Sequence, residues 1–71
     1  MSFDNIGTAM GLIFDELSKD KKSKVLIKQM DEATDDTAIK KGIVAAVARL
    51  RELGKNTLAD DIVKKTKGFA F

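Results

Sequence analysis

The densest group of side chains able to do chemistry is Asp31, Glu32, Asp35 and Asp36. Hard cations take oxygen ligands, so neighbouring carboxylates invite a metal reading. The calcium-loop spacing is missing, and no glycine sits where its sharp turn needs one. The group reads as one helix end meeting the N-cap of the next, with acids suited to the positive pole of the following helix. No metal is expected. Ser2, Ser18 and Ser23 lack a histidine base, because the chain contains no His. A lysine nucleophile needs a desolvated pocket, which a chain of 71 residues scarcely encloses. Isolated glycines form no phosphate-binding loop. The expectation is a non-enzymatic protein without a cofactor.

Thirteen Lys and Arg stand against eleven Asp and Glu, a net charge of +2. With no Cys, neither a disulfide scaffold nor a thiolate zinc site can form. Hydrophobic residues make up 44% and charged residues 34%, the balance of a folding chain. Its length sets one domain, 1–71, as the ceiling. No run of about 18 apolar residues exists to span a membrane. A basic start with a small-residue cleavage site is also missing, and a cytoplasmic setting is expected.

Basic residues cluster at Lys21, Lys22, Lys24 and Lys28, with Lys19 beside them, and nucleic acid is the alternative partner they suggest. Two arginines and no Trp or Tyr leave little for reading or stacking on bases. The stretch from Ala46 to Lys65, turning at Gly54, has the outline of a helix-turn-helix. Its second helix opens with Asp60 and Asp61, which would repel phosphate where the groove should be met. Nucleic acid therefore ranks below a protein partner.

The elements that must position these groups are read from apolar spacing. A first helix covers about 3–17, where Phe3, Ile6, Met10, Ile13 and Leu17 step by three and four, with Phe14 widening the stripe and Ser2 or Asp4 as cap. A second covers about 21–33, with Leu26, Met30 and Ala33 on one face, Ile27 beside them and Asp20 or Ser23 as cap. The third, about 36–53, carries Ile39, Ile43, Ala46, Val47, Leu50 and Leu53 inward, has Thr34 or Asp35 as N-cap, and stops at Gly54. Arg49 and Arg51 fall in its last turns, where cations suit the dipole. Thr57 and Asp60 approximate a capping box for a fourth helix over about 58–67, ended by Gly68. Short connections make neighbours antiparallel. The fold class expected is all-α, a small bundle of three to four helices.

The segment Leu50–Asp60 is similar to inter-helix turns in death-fold and other small helical domains. A death fold needs more helices than this chain supplies, and no family is assigned.

Some apolar residues fall outside the inward stripes. Leu12, Val25, Val44, Ala48 and Phe71 are the candidate protein-interface residues. Phe69 is expected to fold back over the last helical turn. Gly7 and Gly11, one turn apart, and the small residues of the third helix would let a second backbone approach closely. A homodimer and a monomer both stay open. The functional expectation is a small accessory protein that binds a protein partner, itself included, by docking a helix face.

Overall fold

The structure, a computed structural model, describes residues 3–71, with side chains from Asn5 onward. Four α-helices form among the described residues: α1 (Phe3–Leu17), α2 (Lys24–Asp31), α3 (Asp36–Glu52) and α4 (Asn56–Lys65). A short 3-10 turn, Lys21–Ser23, leads into α2. No strand occurs among the described residues, and the all-α bundle expected from apolar spacing is the fold observed. The proposed caps Ser2 and Asp4, and the place of Phe3 in the first stripe, lie outside the described side chains.

The central element is α3. It packs against α2 on one side and α4 on the other, while α1 closes the bundle chiefly against α4. The shortest dimension, 16 Å, matches two layers of helices whose axes lie about 8–10 Å apart. Ile13 and Leu17 of α1, Met30 of α2, Ile43, Ala46, Val47 and Leu50 of α3, and Ile62 of α4 make the buried core.

The packing face of α1 is rotated from the one expected. Ala9 is fully buried, and Leu12, taken to be off the core, is half-buried and packed against it. Ala59 of α4 is also fully buried. Both side chains are small, and α1 packs chiefly against α4. Gly7 and Gly11 are exposed instead, and a Cβ on either would meet nothing within 4 Å. Among the described residues, no element makes the close approach that their spacing would allow.

Helix ends follow the local chemistry unevenly. Asp35 caps α3, its carboxylate accepting from Ala38 N–H at 2.7 Å. Gly54 takes φ +80°, the left-handed turn that ends α3 with little steric cost only for glycine. Leu53, expected in the core, stands at the C-cap just outside the helix and is exposed. The second helix ends at Asp31 instead of Ala33. The fourth begins at Asn56 and ends at Lys65, two residues ahead of the expected span at each end. Lys55 is its N-cap, without a side-chain capping bond, and the expected Thr57–Asp60 box is not the start. Asp60 instead accepts from Arg51 Nη2 at 2.9 Å, tying α4 to the end of α3.

Beyond α4, the chain folds back as expected. Phe69 N–H and Ala70 N–H both donate to the Thr66 carbonyl. Phe69 is half-buried against the core, with Lys40 Nζ 5.2 Å from its ring centroid. Phe71 remains exposed. No helix among the described residues is long and apolar enough to cross a membrane.

Candidate interaction surface

Two contacts fix how α2 lies on α3. Gly42 stands so close to Met30 that a Cβ there would come within 2.8 Å of Met30 Cγ. Further along, Arg49 Nε donates to Ser23 Oγ at 3.1 Å. Met30 is thus level with Gly42, and Ser23 with Arg49, which makes the helices antiparallel. Glycine at position 42 is what allows the thick Met30 side chain to reach the α3 backbone.

Asp20, Ser23 and Arg49 form a polar clasp at the other end of this pair. Ser23 Oγ, buried, donates to Asp20 Oδ2 at 2.6 Å. Arg49 Nη2 donates to the same oxygen at 2.7 Å, and Arg49 Nη1 to Glu52 Oε2 at 3.0 Å. The Ser23 hydroxyl and then the Arg49 guanidinium hold the Asp20 carboxyl below its ordinary value, overcoming a partial loss of solvent. Arg49, expected only as a dipole-matching cation, is in fact a tertiary anchor, its own ionisation raised by Asp20. Neither Asp20 nor Ser23 makes a side-chain capping bond to the backbone.

This register brings candidate residues together on one face. A shallow groove between α2 and α3 is lined by Leu26, Gln29, Ala38, Lys41, Gly42 and Ala45. Val25 lies one turn before Gln29 on the outer edge of α2 and is 67% exposed. Val44 and Ala48 follow Lys41 and Ala45 by three residues on α3, and Val44 is 45% exposed. Val25, Ala45, Ala48 and Val44 therefore share an exposed apolar face at the same height on the bundle.

Leu12 does not join this face, because α1 turns it toward the core. Phe71 is exposed at the end of a segment held through Phe69 beneath Lys40, one turn before Val44 on α3. Gln29, Lys41 and Glu52 were not singled out from sequence as face residues. A three-and-four spacing from Ala45 and Ala48 would have found the last two.

The basic candidates Lys21, Lys22, Lys24 and Lys28 are all exposed, and none pairs with a carboxylate among the described residues. Lys24 and Lys28 edge a second open groove, between α1 and α2, with Phe14, Ser18, Ile27 and Asp31. Among the described residues, no group of three or more His, Cys, Asp or Glu side chains could hold a metal ion. The acidic residues Asp31, Glu32, Asp35 and Asp36 are all exposed.

No protein-family model, curated protein or solved structure matches this chain.

Proposed function

We propose that this chain is a non-enzymatic protein-interaction module, a small adaptor, inhibitor or assembly subunit, docking through the α2–α3 face. The observation that supports this reading is the exposure of Val25 and Val44 beside Ala45 and Ala48. Apolar side chains held on a rigid helix pair gain by leaving water, and their placement at one height lets a single partner cover them together. The lysines around the face would tune the rate of encounter more than the final affinity. The proposed setting is cytoplasmic, in keeping with a chain that carries no Cys.

Affinity capture from the source cell tests the reading. The bait is the intact chain, compared with the Val25→Glu, Val44→Glu double variant. Far-UV circular dichroism establishes that both are helical. Partners held by the wild type and lost by the folded variant support the reading. An identical set on both baits refutes it.

A second reading, a lysine-driven nucleic-acid binder, draws on the exposed and unpaired Lys21, Lys22, Lys24 and Lys28. Such binding would weaken steeply with salt, because each neutralised phosphate releases a counterion. Titration of duplex and single-stranded DNA at two salt concentrations decides it, and no binding at low salt removes it.

A further inference from the structure

We infer that the occupant of the α2–α3 face is a second copy of this chain, antiparallel across a two-fold axis that passes Val25 and the midpoint between Ala45 and Ala48. The inference rests on the reading of that face as a docking surface.

Its first support is charge. Lys41, Ala45, Ala48 and Glu52 are spaced by four, three and four along α3, and all are exposed. This row is basic at one end, acidic at the other and apolar between. Turned end for end against itself, it sets Lys41 opposite the partner's Glu52, Ala45 opposite the partner's Ala48, and the reverse. Every contact is then made twice, as an isologous interface requires. A uniformly acidic partner would be opposed by Glu52 and a uniformly basic one by Lys41, but the row complements its own reverse. The neighbouring charges of α3 are compatible with this, while Lys21, Lys22, Lys24 and Lys28 beside Val25 bring like charge towards the second copy and oppose it. Arg51 is drawn toward Asp60 at 2.9 Å, and Glu52 already accepts from Arg49, so Lys41 of a second copy would join an existing pair.

Its second support comes from α2 and is independent of those charges. Ser23 is level with Arg49, so two residues forward to Val25 corresponds to two residues back, to Val47. Val47 lies next to the midpoint of the charged row. An axis perpendicular to α3 at that height leaves the α2 helices of both copies on the same side. Val25, 67% exposed in one chain, then meets Val25 of the second copy directly across the axis. Val44, on the other flank, falls against the partner's Ala48. The alanines permit the α3 axes to approach to about 8 Å, and two α2–α3 pairs close into an antiparallel four-helix layer.

Light scattering and sedimentation equilibrium over a range of concentrations test this with the whole chain. The wild type is expected to have twice the monomer mass at high concentration. Lys41→Glu and Glu52→Lys should each raise the dissociation constant about ten-fold, because two symmetry-related pairs turn repulsive. The double variant K41E/E52K should bind more tightly than either parent, since both pairs between the copies are restored in reverse, and it should fall short of the wild type because Arg49 loses Glu52. Should a charge reversal lower helicity, Lys41→Gln is the substitute, and it should weaken the dimer by a smaller factor. Val25→Glu should leave a folded monomer. A wild type that stays monomeric at millimolar concentration overturns the inference, as does a double variant no tighter than its parents. In either case the docking reading is judged separately by the capture experiment, in which partners other than a second copy of this chain decide it.

Discussion

At the residue scale, the side chains that decide most are those of the clasp between Asp20, Ser23 and Arg49. It holds the α2–α3 register, and the register is what places Val25 beside the alanines of α3. Its charge dependence has a definite sign. Asp20 ionises more readily in the fold than its ordinary value of 3.8 allows, because the Ser23 hydroxyl and Arg49 favour the carboxylate. A depressed carboxyl stabilises the fold above the unfolded value, and that contribution disappears as pH falls through the lower, folded value. Asp20→Asn should therefore lower Tm at pH 7, and the gap to the wild type should close as the pH is taken below 3.8. Thermal unfolding of both proteins across that range is the measurement. A gap of constant size would assign the effect to lost geometry instead of charge. Little of this clasp was legible in the sequence. Asp20 and Ser23 have the chemistry of helix caps, and Arg49 that of a residue matched to a helix dipole. Their partnership spans 26 to 29 positions of chain, beyond the reach of any local pattern.

At the scale of elements, the sequence is most informative where local and tertiary preferences agree. Helix α3 is such a case. Asp35 supplies the cap, a four-and-three stripe supplies the inner face, and Gly54 supplies the left-handed stop. Asp35→Ala should cost about 1 kcal/mol, measured by urea unfolding, because the first turn loses the acceptor for Ala38 N–H. A neutral result would mean that solvent satisfies that N–H equally well. Where the preferences conflict, the tertiary contact prevails. The Thr57–Asp60 pair has the pattern of a capping box, but Asp60 reaches Arg51, and the helix begins at Asn56. Periodicity also reports that α1 has an inner face without fixing its centre. Alanine adds little to an apolar stripe, so spacing alone passes over Ala9 and places Leu12 on the side away from the core. The candidate surface was legible to the same degree. Val25, Val44 and Ala48 fall outside the inward stripes in both sequence and structure, while the height they share depends on the Gly42–Met30 contact, which no spacing rule contains.

At the scale of the molecule, 71 residues leave a narrow margin. At about 0.05–0.15 kcal/mol per residue, such a fold is held by only several kcal/mol, so one core truncation costing about 2–5 kcal/mol would remove much of it. The exposed apolar face adds nothing to the stability of a single copy, and its burial in a dimer would favour the folded state by mass action. Thermal stability then carries information about association. For a dimer that unfolds to two separate chains, each ten-fold rise in concentration adds about 1.4 kcal/mol per mole of dimer. In a domain of this size that raises Tm by roughly 3–5 °C. Scans of the wild type at concentrations a hundred-fold apart should therefore differ by roughly twice that amount, while Val25→Glu, held as a monomer, should melt at one temperature throughout. Coincident wild-type scans would show that folding proceeds without help from a second chain. The stability would then have to come from the core of Ile13, Leu17, Ile43, Leu50 and Ile62 alone.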